Sequence, residues 1–379
     1  MGEPITVLNR RSWLRTAGVA ALSAGLGRSV RAQGHPEHLP PAPEGDLINL
    51  AGNENPFGPS PSVVRSIVAG APHACRYPFR EEQALKEKLA EKEGVGTGNI
   101  LLGNGCDELL ALAGAAFLKS GKALVSAEPT YFQLIDYARR LGADMRGVPV
   151  GRGMQHDLPA MARAVDDRAG LVYLCNPDNP SGTVRPGAEV TDFLREVSPR
   201  VPVFVDEVYL ELMADFPART QVPLVKEGLP VIIGRSFSKM YGLAGQRIGY
   251  AVTTSALVAE LGQWQMSSVN YLGVAAARAA LQDSEFPAWS IRKIQAGKAR
   301  FYELLRELKQ EYIPSEGNFV YHRIGPWSVQ DYQTVMKTKG LLVGWPHAPA
   351  PGYEAWCRTS IGTDAEMRIC AQAMRAVLG

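Results

Sequence analysis

Residues 231–247 read VIIGRSFSKMYGLAGQR, an apolar run that passes directly into serines, glycines and a lysine. A short apolar run bounded by polar and glycine residues is typical of a buried strand. Lys239 therefore follows a strand end and has Arg247 eight positions on. Burial and a nearby arginine both disfavour an ammonium group, and a neutral amine forms a Schiff base with a carbonyl. We expect Lys239 to bind a carbonyl cofactor, pyridoxal phosphate, although a surface lysine after a strand would show the same local pattern.

Five more apolar runs surround this one and alternate with helical segments. The alternation is the signature of β/α units and predicts a mainly parallel sheet. Ligands of such sheets bind beyond the carboxyl ends of the strands, so the residues that close the runs are the candidates for chemistry. The six runs are residues 100–102, 123–125, 171–174, 203–205, 231–233 and 250–252.

The pattern changes along the chain and divides it into unlike parts. After about residue 270 the apolar runs thin out and longer amphipathic helices follow, notably one predicted at 292–311. We predict a large cofactor-binding domain over 71–270, a smaller α+β domain over 271–379, and an N-terminal arm over 33–70 that forms part of the small domain.

The arm contains the turn-dense segment NENPFGPS, residues 53–60, which on composition alone is a linker. A helix is predicted to begin at Pro61 and run to residue 68. A second helix is predicted at 81–93, where solvated glutamates and lysines indicate a surface face.

The N-terminus has the layout of an export signal. Arg10 and Arg11 precede a serine, a tryptophan and a leucine, then a mildly apolar run, and the segment ends in a small-x-small pattern before Gln33. This layout resembles the twin-arginine class of signal peptides, and the apolar run is too short for a permanent membrane span. We expect residues 1–32 to engage the twin-arginine export machinery and the mature chain to be periplasmic or exported. A basic tail is the alternative.

Composition excludes other classes of protein. Of the 379 residues, 46% are hydrophobic and 21% charged, as in an ordinary globular protein long enough for two domains. The net charge is +2; residues 1–32, with five arginines and one acid, carry +4, so the remainder carries −2 and indicates no nucleic-acid partner. The five cysteines are scattered without a C-x-x-C pair, so neither a disulfide framework nor a metal site is predicted.

Asp206 closes the run 203–205 and would lie at the carboxyl edge of the sheet. A carboxylate in that position is costly unless it meets a cation, and a protonated pyridine nitrogen is such a cation. Tyr209, three residues on, would then reach the phenolic oxygen of the same ring. A helix cap or a metal ligand are the alternatives for Asp206.

A phosphate seat is predicted where the run 100–102 ends in the sequence GNGCDE and opens a helix. Backbone N–H groups at a helix start, approached through glycine, attract anions. Arginine forks and hydroxyl groups complete such a shell. The predicted members are Gly105, Cys106, Asp107, Ser236, Ser238 and Arg247.

Three further residues close the predicted cavity. Asn179 lies in the loop NPDNPSGT at 176–183, whose prolines hold the amide against a ligand oxygen. Tyr131 follows another strand and is placed to stack on a flat ring, although packing is the ordinary role of such a tyrosine. Arg358 is predicted to bind a substrate carboxylate, with a surface ion pair as the alternative. A serine hydrolase and a nicotinamide dehydrogenase are disfavoured, because G-x-S-x-G and the third glycine of G-x-G-x-x-G are missing.

Taken together, the motifs resemble those of fold-type I pyridoxal-phosphate aminotransferases of class I/II, and most of all the histidinol-phosphate aminotransferases. The resemblance spans about residues 48–379. It implies a three-layer α/β/α large domain with a mainly parallel sheet, a small α+β domain, and a homodimer with shared active sites. The motifs stand in the family's order at 53–56, 76–78, 176–182, 206–209 and 236–249.

The resemblance also implies a role for each candidate residue. Lys239 would carry the Schiff base and move the proton between the substrate Cα and the cofactor. Asp206 would pair with the pyridine nitrogen, Asn179 and Tyr209 with the phenolic oxygen, and Tyr131 would stack on the ring. The phosphate would be held by Gly105, Cys106, Ser236, Ser238 and Arg247, joined by Tyr77 of a second subunit. Arg358, assisted by Asn179, would bind the α-carboxylate of the amino acid or 2-oxo acid.

One departure from the family bears on the substrate. Histidinol-phosphate aminotransferases carry an arginine after a glycine-started apolar run, whereas residues 340–347 here read GLLVGWPH. Losing that cation disfavours a phosphorylated substrate. We predict reversible ping-pong transamination of another amino acid, aromatic or modified, with Trp345, Tyr353 and Trp356 as candidate lining or as ordinary packing. Elimination, cyclisation, racemisation, cofactor binding without turnover and transamination of histidinol phosphate itself share the same motifs and stay open at this point.

Overall fold

The computed structural model describes residues 47–119, 121–344 and 351–379. The predicted export signal and Trp345 lie outside these ranges. The strands of the described residues are β1 (Ile48–Leu50), β2 (Ile100–Gly103), β3 (Ala123–Glu128), β4 (Asp144–Pro149), β5 (Ala169–Cys175), β6 (Val203–Asp206), β7 (Val231–Ser236), β8 (Gly249–Val252), β9 (Tyr312–Ile313), β10 (Phe319–Arg323), β11 (Leu341–Val343) and β12 (Trp356–Ser360).

The main sheet has seven strands in the order β2-β8-β7-β6-β5-β3-β4. All neighbours pair in parallel except β8, which runs antiparallel to both β2 and β7. Each of the six apolar runs forms a strand of this sheet, and the prediction of a mainly parallel sheet is confirmed. The seventh strand, β4, was not predicted because it is an edge strand of mixed exposure and therefore has no continuous apolar run.

Helices cover both faces of the main sheet. Alternation along each strand sends neighbouring side chains to opposite cores, so Val203 and Val205 pack in one cluster and Phe204 in the other. This gives the three layers that the resemblance implied. The α-helices of the described residues are Pro61–Gly70, Phe79–Glu93, Cys106–Phe117, Gln133–Arg140, Leu158–Arg163, Gly187–Val197, Phe216–Arg219, Val222–Lys226, Ser255–Gly262, Tyr271–Ala280, Glu285–Glu307, Val329–Thr338 and Asp364–Leu378.

Local signals set the helix bounds. Ser60 caps the first helix by accepting a hydrogen bond from the backbone N–H of Val63, and Gly94 ends the second in a left-handed conformation. The prediction of a helix at 292–311 was wrong at both ends, because the helix begins at Glu285 and stops at Glu307. Lys309 has a φ of 55°, which a helix cannot continue through.

A separate hydrophobic core lies beside the three-stranded antiparallel sheet β12-β10-β9. The N-terminal segment joins this core, since β1 pairs in parallel with β11 and the side chains of Leu50 and Phe57 pack there. The domain bounds at residues 70 and 270 stay predictions. Across the described residues, no helix combines the length and apolarity needed to cross a bilayer.

Candidate active site

A cavity of about 460 Å³ opens at the carboxyl ends of β5, β6 and β7. Most of the predicted site residues meet in its wall, although they come from separate parts of the chain. Gly105 stands just outside the wall as the N-cap of helix Cys106–Phe117. The predicted residues in the wall are Cys106, Asp107, Tyr131, Asn179, Asp206, Tyr209, Ser236, Ser238, Lys239, Arg247 and Arg358.

Lys239 enters the cavity from the loop after β7, and its Nζ donates to the backbone carbonyl of Asn53 at 3.0 Å. Burial, and next the charge of Arg358, lower the pKa of Lys239 to about 8. This lowered pKa agrees with the expectation for Lys239. The arginine whose charge adds to the effect of burial is Arg358 and not Arg247. Arg247 has its own carboxylate partner, Asp107, at 3.1 Å.

Asp206 ends β6 and is 1% exposed. Its carboxylate accepts from the hydroxyl of Tyr173 at 3.0 Å and from the backbone N–H of Val208 at 3.2 Å. Burial nevertheless raises the pKa of Asp206 to about 7. No group of three or more metal-binding side chains occurs in the described part of the chain, so the metal-ligand alternative has no support there. The carboxylate suits a cationic ring nitrogen that would remove its desolvation cost.

Another part of the cavity wall is suited to an anion. Cys106 begins a helix, and Ser236, Ser238 and Arg247 stand around its N-terminus. Gly105 has a φ of 83°, and a Cβ there would run into the guanidinium of Arg247. The positive φ favours glycine at this position, because a residue with a Cβ is strained there. A ring nitrogen at Asp206, an aldehyde at Lys239 and a phosphate at this seat are the three functional ends of pyridoxal phosphate, so the residues present fit that group.

Tyr209 lies at the centre of a hydrogen-bond network that joins the segment around Asn53 to the loop that carries Asn179. Its hydroxyl oxygen accepts from the amide of Asn179 at 3.2 Å and from that of Asn53 at 3.0 Å. Because both amides donate, the phenol proton can be directed to a third group. Burial raises the pKa of Tyr209 well above its usual range, so the phenol stays protonated.

Arg358 projects from β12 toward this network. Its guanidinium donates to the amide oxygen of Asn179 at 2.7 Å and to the carbonyl of Ala51. It is 3% exposed, which rules out the surface ion pair considered as an alternative. Burial lowers the pKa of Arg358 to about 10, which leaves it cationic at neutral pH and gives it the charge to bind a carboxylate.

Tyr131 and Tyr77 occupy different positions. Tyr131 lines the cavity predicted for the cofactor and donates its hydroxyl to Asp107 at 3.0 Å. Tyr77 is absent from the described wall, is 79% exposed and stacks on Phe79 at 5.7 Å. Within one subunit, therefore, Tyr77 does not reach the cavity.

Sequence reasoning missed the roles of Asn53, Asn318 and Tyr173. Residues 53–60 are not a linker: Asn53 is 1% exposed, and its backbone carbonyl accepts from Lys239 and, at 3.1 Å, from Asn318. Composition carried no signal for the contact with Lys239, because the group that accepts is a backbone carbonyl, which every residue type has. Tyr173 lies in the predicted run 171–174, but its place on the face that Asp206 shares follows from the parallel register with Phe204, which only the structure gives.

Two of the aromatic residues proposed as substrate lining pack elsewhere. Tyr353 and Trp356 lie against Tyr321, with ring centroids at 6.1 Å and 5.5 Å, and neither is in the described cavity wall. Packing is the interpretation that fits both.

Comparisons with known proteins agree with this geometry. The family model "Aminotransferase class I and II" matches residues 45–374. The histidinol-phosphate aminotransferase of Moorella thermoacetica is 36% identical over 335 residues, covering 88% of this chain and 86% of the relative. That of Symbiobacterium thermophilum is 36% identical over 336 residues, covering 88% and 91%. The structure of histidinol-phosphate aminotransferase from Sinorhizobium meliloti in complex with pyridoxal-5'-phosphate is similar with a TM-score of 0.80 at 29% identity, covering 93% and 99%.

Proposed function

The chain belongs to the class I and II aminotransferase family, and we propose that its amino donor is an L-amino acid without a phosphate group. It is a pyridoxal-phosphate-dependent aminotransferase of fold type I. The reaction moves an amino group between an amino acid and a 2-oxo acid in two half-reactions.

Bound pyridoxal phosphate supplies an electron sink for negative charge that develops at the substrate Cα. In our proposal the chain supplies the rest. The Lys239 amine, with its lowered pKa, takes and returns the proton at Cα. Arg358 binds the α-carboxylate, and Asn179 fixes the guanidinium for it. Asp206 keeps the pyridine nitrogen protonated, and the Tyr209 proton is directed to the phenolic oxygen.

The observation that carries the substrate proposal is the count of cations in the cavity. Among the described residues of its wall, the basic side chains are Lys239, Arg247 and Arg358. The first two serve the cofactor, which leaves Arg358 to bind either a substrate carboxylate or, in a substrate without a carboxylate such as L-histidinol phosphate, a substrate phosphate. Glu54 stands in the same wall and would repel a further phosphate. A substrate phosphate would thus have Arg358 but no second arginine beside it in this part of the chain, in keeping with the glycine and tryptophan at 344–345.

The relatives' printed names make L-histidinol phosphate the competing substrate. We expect purified holoenzyme to use at least one unphosphorylated L-amino acid with a kcat/KM about tenfold or more above that for L-histidinol phosphate, since a desolvated phosphate met by one arginine instead of two is penalised. The measurement is the rate of 2-oxo acid or imidazole-acetol phosphate formation across a panel of aromatic, aliphatic and acidic amino acids together with L-histidinol phosphate. The highest kcat/KM for L-histidinol phosphate would refute the proposal.

We further propose that the enzyme is a homodimer in which Tyr77 of each subunit completes the other's phosphate site. The exposed pair Tyr77 and Phe79, with Val64 and Val68 also exposed, supports an apolar contact surface. Mixing inactive Lys239→Ala subunits with Tyr77→Phe subunits should restore part of the activity, because one hybrid site receives both intact residues. Equal activity of the mixture and the separate variants would count against shared sites.

We also propose export through the twin-arginine pathway, supported by Arg10 and Arg11 ahead of a short apolar run. Replacing both arginines with lysine keeps the charge while removing the motif. The double variant should stay in the cytoplasm when cell fractions are probed by immunoblot, whereas wild type reaches the periplasm. An unchanged distribution would exclude this signal.

A further inference from the structure

A buried carboxylate outside the described cavity wall joins two of the loops that form it. Asp178 is 1% exposed. Its Oδ1 accepts from the Thr130 hydroxyl at 2.7 Å, and its Oδ2 accepts from the hydroxyl of Ser181 at 2.7 Å and the backbone N–H of Ser181 at 3.3 Å. His156 Nε2 lies 3.1 Å from Oδ1, at an angle too oblique for a hydrogen bond but within ion-pair distance. These contacts hold the Asp178 carboxylate in one orientation.

The two loops follow neighbouring strands. Thr130 lies after β3 and directly precedes Tyr131, whereas Asp178 lies after β5 and directly precedes Asn179. β3 and β5 pair in parallel, so both loops emerge at the same sheet edge. The hydrogen bond from Thr130 to Asp178 therefore connects the two loops one residue before each reaches the cavity, at Tyr131 and Asn179.

The rest of the cluster holds the carboxylate in place. Thr183 donates its hydroxyl to the carbonyl of Met154 at 3.0 Å, which ties the loop to the segment carrying His156. The backbone N–H of Asp178 donates to the carbonyl of Thr183 at 2.8 Å. His156 is 3% exposed, and all of these side chains are buried, so water does not compete for the bonds.

We propose that Asp178, together with Thr130 and His156, forms a positioning cluster that fixes the separation of Tyr131 and Asn179. None of the three touches the reacting atoms. Asn179 bonds to both Arg358 and Tyr209, so a shift of its loop moves the carboxylate site and the phenol together. The inference rests on the proposed roles of Tyr131 at the cofactor ring and Asn179 at the substrate and cofactor oxygens.

The test compares Thr130→Val, which removes the hydroxyl while keeping the branched shape, with Thr130→Ser, which keeps the hydroxyl. In Thr130→Val, we expect the Kd for pyridoxal phosphate and the KM for the amino acid each to rise about tenfold while kcat changes by less than about threefold, because one bond to a buried charge is lost. Thr130→Ser should stay close to wild type. A Thr130→Val variant with lowered Tm but unchanged Kd and KM would overturn the proposal, as would equal impairment of the serine variant.

His156 provides a second, independent arm. His156→Leu should raise the same Kd and KM, and its effect should be less than additive with Thr130→Val because both act through Asp178. Full additivity would overturn the joint role. Cofactor affinity is measured by equilibrium dialysis and the visible spectrum without any substrate, so this arm decides the positioning role even if the substrate proposal fails.

Discussion

Lys239→Ala is expected to abolish turnover. The variant loses the amine that both captures the aldehyde and moves the Cα proton, so we expect kcat to fall by about 10⁴-fold or more. Asp206 and the phosphate site at the N-terminus of helix Cys106–Phe117 should still bind pyridoxal phosphate without a covalent bond. Stopped-flow rates and absorbance after gel filtration measure the two effects.

The matched control for this variant is Lys226→Ala, which removes an exposed lysine outside the cavity wall. It should keep wild-type rate and cofactor content. Borohydride reduction followed by mass spectrometry should fix the cofactor to wild type and to the control but not to Lys239→Ala. Covalent cofactor elsewhere in Lys239→Ala, with retained activity, would show that Lys239 is not the anchor.

Asp206→Asn is expected to give the second largest loss. Asparagine keeps the shape of the side chain but not the negative charge, so the ring nitrogen loses the partner that holds it protonated. We expect kcat to fall by about 10²- to 10³-fold, in the range seen when a preorganised electrostatic contact is removed. Tyr173→Phe, which removes only the hydrogen bond to Asp206, should cost about tenfold or less.

The two variants are compared by single-turnover kinetics at saturating cofactor, which separates chemistry from cofactor loss. An Asp206→Asn enzyme within about threefold of wild type would contradict the assigned charge partner. So would a Tyr173→Phe effect larger than that of Asp206→Asn, since the hydroxyl acts only through the carboxylate.

The parallel core of the fold could be predicted because its strands are continuous apolar runs. β7 and β6 were visible for that reason, and the residues that close them, Lys239 and Asp206, were then candidates by position alone. β4 could not be predicted in this way. An edge strand does not need both of its faces buried, and the exposure of the residues in β4 follows no regular alternation.

What could not be predicted lies between distant segments. Arg247 lies near Lys239 in the sequence and was expected to lower the pKa of Lys239. Burial is the main cause of the lowered pKa, and the charge that adds to it is Arg358, more than a hundred residues away. Asn53 was hidden for a different reason, since its carbonyl, which every residue type has, makes the contact with Lys239. Such pairings follow from tertiary packing and leave no local pattern.

The most direct test of the central claim is a single half-reaction. Holoenzyme mixed with excess L-amino acid and no 2-oxo acid should release one equivalent of the corresponding 2-oxo acid per Lys239 site and no ammonia, while the cofactor absorbance passes to that of the amine form and stays there. Adding a 2-oxo acid should then restore the starting spectrum. Continuous release of ammonia, or turnover beyond one equivalent without an acceptor, would contradict an aminotransferase.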